Sequence, residues 1–363
     1  MLSLIAAASL QLSAADTPAL LLRAEECVEL ADHLTTHMGP PVDRVADELV
    51  LDAPFAFSRC MNELAAVGRD GEAAAASIRP LLDHPDLGAR SAALRVLGHF
   101  GDTESLPEVR AHLDAADWFE TLAAIDAVSL LGGAEDVVQL QNLAAGHWLE
   151  EARAGAWAAA DRVRYNLRTD HERGSDPAEN VRDEERLERR LPKLGYYPFE
   201  SPARDTCPSE AFRFRDRIIS RQAAAERPAY EEPASLAVMD GEFRYTNEGE
   251  WGGELDWHAG GVDQRLITDN VVALIQLDDQ TLIAVTGLDH LSFNRGNLYR
   301  VSSSGTGWVV TEISSLPSVP YWAAPMGDGL IGVRTYGGFI VASQDAIIGM
   351  GQCEPGPFAA PIR

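Results

Sequence analysis

Among the segments of this chain, 289–296 has the residue types that most resemble those of a reactive site. It reads Asp-His-Leu-Ser-Phe-Asn-Arg-Gly and is expected to form a polar hairpin loop between two strands. His290 beside Asp289 has the chemistry of a general base or a metal ligand, and Arg295 that of a carboxylate clamp. More often, such a loop is a turn whose polar side chains cap their own backbone. We therefore predict His290, Asn294 and Arg295 as candidate ligand-binding residues and predict no catalytic residue.

Three aromatic residues, Trp251, Trp257 and Tyr336, are expected in turns equivalent to this loop. Trp and Tyr side chains often anchor binding surfaces, because each one contributes a large contact area. Packing in the core is the alternative for each of them. Exposed rings of Trp251 and Trp257 would favour a protein that binds sugars or other small ligands.

Two histidines, His33 and His37, lie four positions apart on a predicted helix, a spacing that offers two ligands to a transition metal. The pattern defines no third ligand, and a solvated helix face is the alternative. The chain has no GxSxG, HExxH, Walker-type or dinucleotide-binding motif. We therefore predict no metal and no cofactor.

The charge of the chain limits its partners. Lys and Arg together number 30 against 56 Asp and Glu, which gives a formal net charge of -26. This field repels phosphate backbones and anionic membranes, so nucleic acid is not an expected partner. A basic protein, a cationic peptide or a divalent cation matches the charge better. The alternative is that the acidic surface serves solubility alone.

The first fifteen residues resemble an export signal. An apolar run ends in small residues at Ala14 and Ala15, directly before Asp16, as at a signal-peptide cleavage site. No Lys or Arg precedes the run, and the alternative is a first helix packed on the helices that follow. No other segment reaches the roughly 20 apolar residues that span a bilayer. We expect a periplasmic or secreted protein that does not cross the membrane.

Four cysteines fit an oxidising compartment, where an even number can close two bridges. Three connectivities are possible. We predict that Cys27 pairs with Cys60 within the helical part, and that Cys207 pairs with Cys353 across the second part. Four buried thiols acting as small hydrophobic residues are the alternative.

The chain repeats itself between about residues 54 and 163. Three similar apolar segments end at Gly68, Gly101 and Gly132, which are 33 and 31 positions apart. Each unit reads as two helices, with Gly101 and Gly132 placed where a helix ends in a left-handed residue. Asp86 and Asp102 stand where the next helix should begin, and we predict both as N-caps.

The run Asp-Leu-Gly-Ala-Arg-Ser-Ala-Ala-Leu at 86–94 resembles the short HEAT-like repeats of phycobilisome lyases. That resemblance implies a right-handed stack of helical hairpins with a long curved surface for an extended partner. It does not extend to the lyase activity. Metal-dependent hydroxylases of this family carry paired His-Glu motifs in their repeats, whereas the His-Glu pair of this chain, at 171–172, follows the repeats.

A second repeat appears after Pro233, where alternating apolar residues replace the helical pattern. Gly253, Gly296 and Gly338 align at intervals of 43 and 42 positions, and the strand at 281–286 matches that at 329–334. This period resembles a propeller blade, and about three blades fit. A closed propeller typically needs at least four, which implies an open arc or a curved meander. The stretch also resembles uncharacterised bacterial exported proteins, a similarity that assigns no activity.

The fold expected from these patterns is α+β in two units. A signal at 1–15 precedes HEAT-like helices at 16–164, a charged helical linker at 165–232 and a propeller-like β-domain at 233–363. The linker contains the mixed-charge run 182–190 and a helix over 209–226. We predict a non-catalytic interaction protein of the bacterial envelope that binds a protein or peptide. The alternatives are a hydrolase or lyase-like enzyme that uses the 289–295 loop, and a small-ligand or sugar binder.

Overall fold

The computed structural model describes residues 17–35, 52–168, 207, 210–221, 233–249, 252–290, 293–305 and 307–354. The expected signal at 1–15 and the charged run at 182–190 lie outside this part of the chain. Contacts divide the protein into two units. The first comprises 1–115, 120–146 and 151–192, and the second comprises 116–119, 147–150 and 193–363. The architecture is α+β, with helices in the first half and antiparallel sheets in the second.

The helical half consists of α-helices joined by short 3₁₀ segments. The described helices are α1 (Thr17–Thr35), α2 (Asp52–Val67), α3 (Ala75–Ile78), α4 (Leu87–Phe100), α5 (Leu106–Ala111), α6 (Trp118–Leu131), α7 (Ala134–Gly146) and α8 (Glu150–Asn166). Within the described residues, none of them combines the length and the apolar character needed to cross a bilayer.

The helix ends follow the predicted chemistry at α4. Asp86 caps its first turn, because the carboxylate accepts a hydrogen bond from Ala89 N at 2.8 Å. Gly101 ends the helix in the left-handed conformation, with φ 75°. The prediction for Gly132 was wrong. It does not have a positive φ, and its N–H continues the helical pattern by donating to Val128 O at 2.8 Å.

Asp102 occupies the N-cap position of the 3₁₀ segment Thr103–Ser105, but its carboxylate makes no capping hydrogen bond there, contrary to the prediction. It accepts two hydrogen bonds from Arg79 instead, at 2.6 and 2.8 Å. Arg110 binds Asp136 in the same two-pronged way, at 2.6 and 2.8 Å, and lies 31 positions after Arg79. Both carboxylates are buried, with 3% and 1% of Asp102 and Asp136 exposed. We call these two pairs the arginine clamps.

Two disulfides join the pairs that the sequence analysis expected. Cys27 and Cys60 link α1 to α2, with their Cα atoms 5.7 Å apart. Cys207 and Cys353 form the second bridge, with a Cα separation of 5.5 Å.

The strands of the second unit form three antiparallel sheets within the described residues. The strands are β1 (Ala211–Phe214), β2 (Arg217–Ser220), β3 (Ala234–Val238), β4 (Gly241–Tyr245), β5 (Leu255–Ala259), β6 (Val262–Ile267), β7 (Val271–Asp278), β8 (Thr281–His290), β9 (Phe293–Ser303), β10 (Trp308–Leu316), β11 (Pro320–Gly327), β12 (Leu330–Thr335), β13 (Gly338–Ala342) and β14 (Ile347–Cys353).

Each sheet contains four consecutive strands that pair in chain order. The first sheet is β3-β4-β5-β6, the second is β7-β8-β9-β10, and the third is β11-β12-β13-β14 extended by β1 and β2. Gly253 lies just before β5, Gly296 lies in β9, and Gly338 begins β13. The three aligned glycines therefore mark the third strand of each sheet.

The helix expected over 209–226 was wrong, because this segment contains β1 and β2. Phe212 and Phe214 alternate with arginines, which is a strand period, and Arg215 turns the chain with φ 57°. β1 pairs with β14, so the expected start of the β-domain at 233 was too late. The abundance of Arg and Ala around this hairpin resembles a helix and obscures the short alternation.

Candidate functional site

The second unit has one end rich in polar connections. The connection from the second to the third strand of each sheet lies at this end. The connections from one sheet to the next, between β6 and β7 and between β10 and β11, lie there as well. The described residues of this end are 246–249, 252–254, 268–270, 317–319, 336–337 and the facing ends of β8 and β9. We call it the loop end. The turn end, opposite, carries the two-residue turns 239–240, 260–261, 279–280 and 328–329.

Backbone hydrogen bonds join neighbouring sheets at the loop end. Val271 N, at the start of β7, donates to Thr246 O at 3.0 Å. Gly253 and Gly296 have no room for a side chain: a Cβ atom would lie 2.9 Å from Asn270 Cα, directly before β7, in the first case and 2.5 Å from Pro320 Cδ of β11 in the second. Two of the three aligned glycines are thus points where consecutive sheets approach closely, whereas a side chain at Gly338 would meet Met350 of its own sheet.

The buried side chain of Asn270 anchors the β4–β5 connection by hydrogen bonds to its backbone. It is 1% exposed, its Oδ1 accepts from Glu248 N at 3.0 Å, and its Nδ2 donates to Gly249 O at 2.6 Å. Its own carbonyl accepts from Gly287 N at 3.0 Å. The buried side-chain amide of Asn270 therefore fixes the connection of the first sheet, while its main-chain carbonyl contacts the end of β8 in the second.

Replacing Asn270 with Ala should lower the free energy of unfolding by about 1–3 kcal/mol, because it leaves Glu248 N and Gly249 O without this partner. Asn270→Asp keeps the acceptor but loses the donor and places a charge at a position that is 1% exposed, so near neutral pH it should cost at least as much as Asn270→Ala. Urea denaturation followed by tryptophan fluorescence measures both. Gln280→Ala, an exposed change at the turn end, is the control, and an equal loss in that variant would contradict the bracing role.

The third sheet is braced in a related way. Ser318, which is fully buried, accepts from Gly337 N at 2.7 Å, and Tyr336 N donates to Val319 O at 3.2 Å. The half-buried Tyr336 ring lies 5.4 Å from that of Tyr321, centroid to centroid. Tyr336 therefore stands in the β12–β13 turn, as expected, and its backbone is fixed.

Apart from Trp257, the other predicted ligand-binding positions lie in the sequence where the second strand of a sheet leads to the third. Trp251 belongs to the β4–β5 connection but lies outside the described residues. His290, Asn294 and Arg295 lie at the end of the β8–β9 hairpin, where Asn294 pairs with Asp289. Their side chains are outside the described part, so the structure fixes only their backbone positions. Topology thus brings these positions to one end of the unit.

Trp257 is a correction. It lies on β5 and not in a turn, and only 6% of it is exposed. Its ring packs 4.6 Å from that of Phe243 and 5.5 Å from that of Trp308. The core role weighed in the sequence analysis applies here, and the exposed stacking surface required for a sugar site is missing at this position.

The loop end is acidic around Glu254. Its carboxylate lies 2.6 Å from Arg265 Nη1, and Arg265 Nε also bonds to Asp256. Burial raises the pKa of Glu254, and the neighbouring Asp256 carboxylate adds to this effect, although Arg265 opposes it. No group of three His, Cys, Asp or Glu side chains among the described residues is arranged as a metal site.

Comparison of the chain with protein-family models, with curated proteins and with solved structures gave no match. The resemblance to HEAT-like repeats and to propeller blades therefore stays a hypothesis.

Sequence reasoning missed Arg334, a buried cation at the loop end. It is 2% exposed, and its guanidinium lies 4.7 Å from the Phe212 ring centre and 5.4 Å from that of Tyr321. It also donates to Thr335 O at 3.1 Å. The available signal was a single arginine within an otherwise apolar strand, between Val333 and Thr335.

The first unit also contains a buried cluster of charged side chains around Glu120, and its role is structural. Glu120, 6% exposed, accepts from Arg90 at 2.8 and 3.0 Å and lies 2.5 Å from His112 Nδ1. Burial alone would raise the pKa of Glu120, but the hydrogen bonds from His112 and Arg90 outweigh it, so this pKa is lowered. Because both carboxylate oxygens are engaged, the cluster stabilises the packing and offers no general base.

Proposed function

We propose that this chain is an exported, non-catalytic interaction protein of the bacterial envelope, and that its loop end binds a protein or peptide partner. One observation carries the proposal. Buried side chains, chiefly Asn270 and Ser318, hold the second-to-third-strand connections of the first and third sheets by hydrogen bonds to their backbone. A surface that is ordered before its partner arrives loses less conformational entropy on binding.

The proposal includes a HEAT-like stack for the helices and a propeller-like arc for the strands. The 31-residue interval between the arginine clamps supports a HEAT-like stack of helices. The three four-stranded meanders in chain order support a propeller-like arc of three blades. In such an arc, the connections of successive blades present one continuous surface.

The partner is proposed to be basic. The chain has a net charge of -26, and Glu248, Glu254 and Asp269 all lie at the loop end. Such charges attract a cationic protein and repel nucleic acid. Export is supported by the two disulfides, since these form and persist in oxidising compartments.

The test is capture of a partner by the full-length protein from the envelope fraction of its native cells, followed by affinity measurement with the purified pair. Glu248→Gln with Glu254→Gln should weaken binding about tenfold, which corresponds to about 1.4 kcal/mol. Asp240→Asn with Asp279→Asn removes the same charge at the turn end and should change the affinity less than about twofold. Added salt should weaken the wild-type complex.

Equal weakening by both pairs of substitutions would show that the loop end is not the binding surface. Failure of the full-length protein to retain any partner, together with turnover of a substrate that depends on His290, would favour the enzyme alternative instead.

A further inference from the structure

The hairpin formed by β1 and β2 joins the third sheet by a short edge. β1 pairs with β14 at two positions, Phe212 with Cys353 and Arg213 with Gln352, and Glu354 N donates to Ala211 O at 2.8 Å. The Cys207–Cys353 disulfide stands at the same edge, four residues before β1 begins. Few backbone hydrogen bonds therefore hold this edge together.

The side chain of Arg217 gives the hairpin a second attachment. Its guanidinium donates to Met326 O at 2.8 Å and Gly327 O at 2.6 Å, and it also bonds to the exposed Asp328. These contacts lie at the turn end, where β11 finishes. Because the Asp328 side chain is 82% exposed, its ion pair with Arg217 adds little holding energy, and this attachment depends mainly on the two hydrogen bonds to backbone carbonyls.

The hairpin covers an aromatic interior. Phe212 stacks on Phe339 with ring centres 4.5 Å apart, and the Trp322 ring lies 6.3 Å from that of Phe212. All three side chains are at most 3% exposed. Ile219 of β2 belongs to the same cluster. Detachment of the hairpin would therefore expose Phe339 and Trp322 on β13 and β11.

The two disulfides differ in access to solvent. Cys27 and Cys60 are both 0% exposed. In the second bridge Cys207 is 7% exposed, whereas Cys353 is an exposed residue near the end of the sheet. Thiol–disulfide exchange requires a thiolate to reach one sulfur of the bridge, so the two bridges should react at different rates.

We propose that the Cys207–Cys353 disulfide is a reducible clasp that holds the β1–β2 hairpin over the aromatic interior of the third sheet. A thiolate of an external dithiol attacks Cys353 Sγ, the sulfur–sulfur bond breaks, and Cys207 leaves as a thiolate that takes up a proton. The second thiol of the dithiol then displaces Cys353 from the mixed disulfide. The protein gains two electrons and two protons, and the dithiol becomes a disulfide.

This clasp goes beyond the proposed binding function and does not depend on it. Reduction frees the hairpin edge, while the Cys27–Cys60 bridge stays closed. The exposed aromatic residues then form a new apolar surface that is available only in the reduced protein.

The first test uses dithiothreitol with the native full-length protein, alkylation of the freed thiols and peptide mass spectrometry. Cys207 and Cys353 should be labelled at least about tenfold faster than Cys27 and Cys60, because exposed bridges are the labile ones. Equal labelling rates, or faster labelling of Cys27 and Cys60, would overturn the proposal.

The second test is hydrogen exchange of the reduced protein and of the variant with Cys207→Ser and Cys353→Ser. Amides of β1 and β2 should exchange at least about tenfold faster than in the oxidised protein, while those of β7–β10 stay unchanged. Unchanged exchange in 211–220 after complete reduction would overturn the clasp. So would uniformly faster exchange across the second unit, since this would indicate general unfolding instead of local release.

Discussion

Replacing Arg79 with Met is expected to lower the free energy of unfolding by about 3–5 kcal/mol. The substitution keeps an aliphatic side chain but leaves the Asp102 carboxylate, 3% exposed, without the two hydrogen bonds that it accepts from Arg79. A buried charge without a partner is costly, because burial has already removed the water molecules that would otherwise solvate it. Urea denaturation followed by circular dichroism measures the change.

The control for this prediction is Glu104→Gln. Glu104 also pairs with Arg79, at 2.5 Å, but its side chain is 76% exposed. Its loss should cost less than about 1 kcal/mol. Asp102→Asn added to Arg79→Met should restore part of the stability, because it removes the unpaired charge. A double variant as unstable as Arg79→Met alone would show that the charge of Asp102 is not the cause.

The same carboxylate makes stability depend on pH. Burial would raise the pKa of Asp102, but the hydrogen bonds from Arg79 and Ser105 outweigh it, so its pKa lies below the ordinary value of 3.8. A lowered pKa means that the stabilisation is complete above pH 3.8 and is lost as the pH falls through the folded-state pKa. Asp102→Asn should therefore flatten the acid limb of the stability curve, measured by denaturation at successive pH values.

Replacing Trp257 with Ala should also cost about 3–5 kcal/mol, because it empties a large space between Phe243 and Trp308. Trp257→Phe should cost less, since a ring still fills most of the site. Denaturation followed by the fluorescence of the remaining tryptophans measures both. This outcome decides between the core role of Trp257 and the binding role considered from the sequence.

Trp157 offers the matched comparison. It lies on α8 and is 46% exposed. Trp157→Ala should change the free energy of unfolding by no more than about 0.5 kcal/mol. If Trp257→Ala cost as little as Trp157→Ala, the packing around Trp257 would contribute little to stability and the core interpretation would fail.

Local chemistry was predictable where neighbours in sequence decide it. Asp86 caps α4 and Gly101 ends it, because each conformation depends on atoms within a few residues. Asp102 has the same local signature as Asp86, yet Arg79, 23 positions earlier, takes its carboxylate. The competing partner is distant in sequence, so no local pattern reveals it.

The β unit shows the same limit. The glycine alignment identified the third strand of each sheet, and at Gly253 and Gly296 a glycine is required because the next sheet approaches there. The β1–β2 hairpin was missed, since its partner strand β14 lies far along the chain and its four-residue strands carry little periodicity. Asn270 and Ser318 were missed as well, because a polar residue before a strand resembles an ordinary turn until its burial is known.

The most direct test of the loop end as a binding surface is hydrogen exchange of the full-length protein, alone and with its captured partner. The amides of Glu248, Gly287 and Gly337 should already be protected in the free protein, because each donates to a braced acceptor. Partner binding should slow exchange further at the loop end and leave the turns at 239–240 and 279–280 unchanged. Free-peptide exchange rates at those three amides, or new protection confined to the turn end, would contradict the account.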